Sequence, residues 1–291
     1  MTTATLDRTT HAAAPTGRLS LTHLVRSEWI KLRTLRSTVW CYGLIVLLTI
    51  GFAVLMAFTF STQGTPSADT QNSILVRSAT LGINFTQLIV AVLGALVVTG
   101  EYSTGMIRST LTAAPGRVGA YLSKAIVLAV TTFVVGLVGV VAAALVAAPI
   151  LSTKDVQPDL FQWSVMLPMI GAAGYLTLVA LFAFTFGTIL RNSAGAIATV
   201  LGLLLVVPTI LQILSGLTQA KWIQNVAAFL PSSAGSKFST YQSSVTESAT
   251  ASGSQSSGIV DLTSWEGLAV TIGWVLVFGV IGAVLLKRRD A

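Results

Sequence analysis

An all-α integral membrane protein is the fold class this sequence predicts, and three observations predict it. Only 9% of the 291 residues are charged and 53% are hydrophobic. Soluble domains carry about 25% charged residues, so a chain this poor in charge cannot clothe a water-facing surface. Six apolar stretches each reach the roughly 20 residues that a helix needs to cross a hydrocarbon core of about 30 Å. When these stretches are threaded as spans, 13 of the 17 Lys and Arg residues fall on one side. That asymmetry marks the cytoplasmic side and predicts an N-in, C-in topology. Asp69, Asp155, Asp159, Glu247, Asp261 and Glu266 gather on the other side. The net charge of +7 is thereby read as orientation rather than as a sign of nucleic acid.

Residues 1–18 are Thr- and Ala-rich and are expected to form a disordered cytoplasmic tail, apart from a single domain over 19–291. Within 19–37, Leu21, Leu24, Val25, Trp29, Leu32 and Leu35 recur at helical spacing, with Arg26, Lys31, Arg33 and Arg36 between them. The pattern predicts an amphipathic elbow helix lying on the inner leaflet. Glu28 falls inside the apolar stripe, where lipid would penalise it. It is therefore expected to face protein or to pair with Lys31, one turn on.

The predicted spans cover about 39–60, 81–99, 119–150, 161–190, 193–215 and 264–286. Pro168 in the fourth and Pro208 in the fifth are candidate bends, since proline frees a backbone carbonyl. Residues 61–80 and 151–160 are read as short polar loops. Residues 216–263 form one long extracytoplasmic excursion. Its first part, 217–231, predicts an aromatic interfacial helix ending before Pro231. Its Ser-, Thr- and Gly-rich remainder, about 232–258, is expected to be mobile. Asn84, Gln87 and Gln212 are candidate pathway-lining residues. The lone cysteine, Cys41, excludes an internal disulfide and reads as apolar filler.

The most informative stretch lies between spans two and three. Glu101 and Tyr102 follow Gly100 where the chain leaves the apolar run. Ser103 and Thr104 suit a turn, and Gly105 supplies backbone freedom. Met106, Ile107, Arg108 and Leu111 predict a short amphipathic helix that ends before Pro115.

Glu101-Tyr102 followed by Gly105, Arg108 and the Pro115/Arg117 pair resembles the cytoplasmic loop of ABC-2 type permeases that docks on their ATP-binding subunit. The segment Glu28-Trp29-Ile30-Lys31-Leu32-Arg33 resembles the amphipathic helix preceding span one in that family. The resemblance spans roughly residues 20–287. It implies a plasma-membrane efflux permease that pairs with a second copy, identical or different, and with two ATP-binding cassettes. It also implies that 101–117 carries a cytoplasmic coupling helix that transmits force rather than catalysing.

What the chain lacks fits this expectation. It contains no Gly-Lys pair and hence no phosphate-binding loop, so ATP and Mg are expected on a partner subunit, with no cofactor bound by this chain. The central parts of the spans carry no Asp, Glu, Lys, Arg or His, the groups an ion-coupled carrier places at mid-membrane. Both histidines, His11 and His23, precede the first span, and neither H-E-x-x-H nor G-x-S-x-G occurs. An intramembrane enzyme is therefore disfavoured. A secondary carrier and a non-transporting assembly or anchor protein are the competing readings.

Overall fold

The computed structural model describes residues 21–61, 66–106, 117–241 and 258–288. Among them the regular structure is helical throughout, and six helical segments are long and apolar enough to cross a membrane. Helix α1 (Leu21–Thr34) breaks at Leu35, whose extended backbone (φ −73°, ψ 113°) redirects the chain into α2 (Arg36–Thr59), the first span. The buried face of α2 is small and β-branched: Thr38, Ile45, Thr49, Ala53 and Ala57. It packs on α5 (Arg117–Ser152), the third span. The Tyr42 hydroxyl joins the two, lying 2.9 Å from Thr131 Oγ1 and 3.1 Å from Thr132 Oγ1.

The second span is longer than its apolar run suggests. Helix α3 (Ala68–Thr80) leads through Leu81-Gly82 into α4 (Ile83–Ser103), forming one nearly continuous rod. The expectation of a polar loop at 61–80 is thus corrected for 68–80. Asp69, Gln71 and Asn72 gave the segment its loop-like polarity, but all three bond to protein, Asp69 by accepting from the Tyr241 hydroxyl (3.4 Å). Gln71 Oε1 accepts from the Gln157 amide (2.8 Å), and Asn72 Oδ1 accepts from the Asp159 amide (2.9 Å). Asn72 also donates to Gln162. Ile74, Leu75, Val76 and Ala79 then bury against the bundle. Ser67 caps the helix, and Asp69 in the first turn suits its dipole.

Helix α6 (Trp163–Leu190), the fourth span, is the most enclosed element. It crosses α4 at close range through small residues. A Cβ on Gly94 would strike the Ala180 carbonyl oxygen, and one on Gly187 would come within 2.9 Å of the Ala95 carbonyl. Lipid tails are as apolar as leucine, so helices in a membrane gain from tight backbone approach rather than from escaping water. Glycine permits that approach.

The fifth span, α7 (Ser193–Thr218), is capped by Asn192, whose Oδ1 accepts from the Gly195 amide (2.9 Å). It carries a π-helical turn at Gly202–Val206, immediately before Pro208. Pro208 has no N–H for the Leu204 carbonyl and its ring crowds that turn, so the wider turn relieves both. Pro168, by contrast, sits near the start of α6, where little of the ladder is lost.

The excursion after α7 folds back onto the bundle. Helix α8 (Lys221–Ala228) is followed by α9 (Pro231–Ser236) and a 3₁₀ turn at Lys237–Ser239. The helix expected over 217–231 is shorter, Lys221–Ala228, because Leu217 and Thr218 complete α7; it ends before Pro231, which opens a second helix at its first position, where its missing N–H costs nothing. The expected mobility of 232–258 is corrected for 232–239, which packs on α6 and on the sixth span, α10 (Ser264–Arg288). Ser264 Oγ donates to the Lys237 carbonyl (3.0 Å), and Trp274 Nε1 donates to the Phe229 carbonyl (3.0 Å). Residues 242–257 and the tail expected at 1–18 lie outside the described residues.

The Gly94 contact yields a clean comparison. Gly94→Ala is expected to lower the melting temperature of the purified protein, because a backbone carbonyl stands where the methyl must go. Gly43→Ala, whose added Cβ meets nothing within 4 Å, is expected to leave it unchanged or raise it. Equal melting temperatures for the two variants would mean that α4 and α6 are not held by this crossing.

Candidate functional site

One end of the bundle gathers α1, the end of α4 and the start of α5 around four ionised side chains. Lys124 Nζ lies 2.8 Å from Glu28 Oε2 and 2.7 Å from Glu101 Oε1. Lys31 Nζ lies 2.9 Å from Glu28 Oε1 and 3.0 Å from the same Glu101 Oε1. Each ammonium bridges both carboxylates, and the ring closes with no net charge. Glu28, Glu101 and Lys124 are all at least 92% buried, and Lys31 alone keeps about a third of its side chain in solvent.

Local sequence dictates this placement. On α1, Leu24, Glu28 and Leu32 share one face, and that face packs on α5. Leu24 meets the α5 backbone at Gly119. Lys124 stands two turns into α5, surrounded by apolar residues. A lone ammonium there is too costly to keep without carboxylates, and α1 and α4 supply two. Burial pushes the Glu28 carboxyl up, but Lys124 and Lys31 outweigh it and hold the group below the usual carboxylate range. Burial likewise pulls Lys31 down, while Glu28 and Glu101 more than offset it. Both groups therefore stay charged at neutral pH.

The expected pairing of Glu28 with Lys31 is present, and Glu28 faces protein. The apolar stripe assigned to lipid behaves differently. Leu32 is buried on the protein side and Leu24 is half-buried, while Trp29 and Arg33 are exposed on another face. The stripe is split because Glu28, at its centre, must reach Lys124.

The turn beyond α4 begins at this ring. Glu101 is anchored by the two lysines, and its Oε2 is buried without a hydrogen-bond partner among the described residues. Tyr102 carries the Arg191 guanidinium over its ring, 5.2 Å from the centroid. Arg191 caps α6 in a left-handed conformation (φ 53°). Thr104 Oγ1 donates to the Gly100 carbonyl (2.9 Å), and Gly105 turns the chain at φ 72°. Met106 is exposed. Arg108, Pro115 and the expected coupling helix lie outside the described residues, and Arg117 is the first residue of α5.

Of the candidate pathway residues, only Gln87 is enclosed. It accepts from the buried Tyr175 hydroxyl and donates to the Asn84 carbonyl (3.0 Å). The side chains of Asn84 and Gln212 are exposed.

Sequence reasoning passed over Lys124 as one more orienting cation. The signal was available, since Lys124 is the only Lys, Arg, Asp or Glu inside the apolar run 118–150. Glu28 and Glu101 are also the only acids on that side between residues 8 and 289. The Arg191–Tyr102 contact had no sequence signal, because the ends of two helices far apart in the chain create it.

Residues 24–209 match a family model described as ABC-2 family transporter protein. The match runs from α1 to the proline of α7 and includes all four members of the ring. No curated protein matches the chain.

The ring can be tested by its internal coupling. Lys124→Met leaves two carboxylates sharing one ammonium and is expected to cost about 3–5 kcal/mol. Glu28→Gln in the same background restores neutrality as a Glu101–Lys31 pair. The double variant is expected to be more stable than the Lys124→Met single in denaturant titrations of purified protein. Strictly additive losses would mean that the four groups do not act together.

Proposed function

The chain belongs to the ABC-2 family of transporter proteins, and from that premise we propose that this permease subunit takes its energy from a separate ATP-binding subunit seated on the 101–117 turn and moves substrate outward across the plasma membrane. The observation that carries the reading is the buried ring at the root of the turn. A cassette that closes on ATP delivers force to whatever it touches. A turn hinged freely on α4 would dissipate that force by bending. Here Glu101, in the last turn of α4 just before the chain leaves the helix, is clamped to α1 through Lys31 and to α5 through Lys124. A push on the turn is shared among three helices, and the substrate path responds as a unit.

The lack of a phosphate-binding loop in the sequence supports a separate ATPase. The Lys and Arg distribution supports placing the ring, the turn and both termini in the cytoplasm. The ring is a structural clamp in this reading. Its charges are neutralised among themselves and hold no proton-transfer or nucleophilic geometry toward a substrate. A second permease copy completes the path.

Two measurements test the proposal. Cysteine placed at Met106 is expected to react with a membrane-impermeant maleimide only from the cytoplasmic side of oriented vesicles, whereas labelling from outside would invert the topology and remove the docking turn from the ATPase. In proteoliposomes with a purified cassette ATPase, the chain is expected to stimulate ATP hydrolysis. Glu101→Gln is expected to reduce that stimulation about tenfold while the two subunits still co-purify. Transport by the chain alone, driven by an ion gradient, would end the reading.

A further inference from the structure

Among the described residues, the ring takes up Glu28 and Glu101 and leaves three arginines of α1 and α2 without an ion pair. Arg26 and Arg33 lie on the face of α1 opposite Glu28 and Leu32, and Arg36 opens α2 just past the break at Leu35. All three are exposed, and none has an ion-pair partner among the described residues. Large apolar groups accompany them: Trp29 is 41% exposed, Ile30 53% and Trp40 79%. Thr22, Val25, Arg26 and Trp29 line an open depression on this surface.

We propose that this face, Arg26, Trp29, Arg33, Arg36 and Trp40, is a binding site for the headgroup of an anionic phospholipid. Continuity with the exposed apolar side of α2 is the first argument. Arg36, Trp40, Leu44, Leu47, Leu55 and Phe58 recur at helical spacing, and each is exposed. This stripe runs along the membrane-crossing length of α2, so its first residue lies at the water boundary. Trp40 is one turn, about 6 Å, deeper, the depth at which tryptophan settles between headgroups and acyl chains. Arg36, and Arg33 across the break, then stand at the level of lipid phosphates.

Charge complementarity is the second argument. A zwitterionic headgroup offers a phosphate together with its own cation, which three arginines repel. An anionic headgroup offers the phosphate alone, and guanidinium forks match phosphate oxygens geometrically. A protein partner would cover the arginines, but it would also have to cover Trp40 and the exposed apolar residues below it. Lipid covers all of them. Because α1 is joined to the ring by its other face, occupancy of this site bears directly on how firmly the clamp is seated.

The test uses the full chain in detergent micelles, titrated with phosphatidylglycerol or phosphatidylcholine and read by native mass spectrometry. Phosphatidylglycerol is expected to bind at least fivefold more tightly than phosphatidylcholine. Arg33→Gln is expected to weaken it about fivefold, and the triple change at Arg26, Arg33 and Arg36 to glutamine to bring the two lipids to parity. Arg77→Gln, on α3, is expected to change nothing. Equal binding of the two lipids by the native chain, or an undiminished preference in the triple variant, overturns the proposal. A triple variant that keeps its lipid preference but loses self-association, or retention of a purified ATPase subunit, would assign the face to a protein instead.

Discussion

A charge buried in a membrane protein must find its opposite, and at the ring this requirement decides how three helices meet. The desolvation of Lys124 and Glu101 is repaid only when both are held at hydrogen-bonding distance. Glu101 Oε1 lies between two ammoniums and Glu28 offers one oxygen to each, so no member can move alone without stranding another. Lysine suits this arrangement better than arginine would. An ammonium is a compact point charge with three donors and bridges carboxylates arriving from different helices. A guanidinium fork prefers to engage one carboxylate with two parallel bonds. The choice of cation therefore favours a clamp across helices over a set of isolated pairs.

Farther from the ring the bundle is held by different means. The α4–α6 crossing depends on the absence of side chains, with Gly94 and Gly187 each set against a carbonyl of the opposing helix. The opposite end is held by amides and by backbone groups: Asn72 and Gln71 engage the 157–162 segment, and Lys154 donates to the Phe60 carbonyl at 2.6 Å beyond the end of α2. One end is thus ionic, the middle is close-packed and apolar, and the other end is a hydrogen-bonded lid completed by α8 and α9. This gradation follows the solvent. Ion pairs and amides stand near the water boundaries, and bare backbone contact serves where lipid offers no hydrophobic drive.

Much of this was legible in the sequence, and the unread parts share a cause. The six spans could be read because apolar length is a local property, and the Glu28–Lys31 pair because one helical turn is local too. Helix α3 was hidden because Gln71 and Asn72 look like loop residues until the distant 157–162 segment is brought to them. The stripe on α1 was misassigned because a hydrophobic pattern identifies a face and not what covers it. Lys124 was readable only by asking which acids on its side of the membrane were free to pair with it. In each case the missing information was a contact between residues about 70 to 100 positions apart.

Helix α1 then has two faces with opposite tasks. Glu28 and Lys31 turn inward to the ring, and Arg26 and Arg33 turn outward. If all these charges faced water, α1 would be one more surface helix, held by exposed ion pairs worth at most about 1 kcal/mol each. Burying Glu28 against Lys124 makes its attachment to α5 strong and specific. Leaving the arginines outside gives the helix a second grip, on whatever lies at the membrane boundary. Joined to the bundle on one side and exposed on the other, α1 is placed to fix the position of the turn at 101 relative to the bilayer. In the function proposed above, a cassette pressing on the segment after α4 would move the spans past one another only if some element at the same depth resisted, and α1 would be that element.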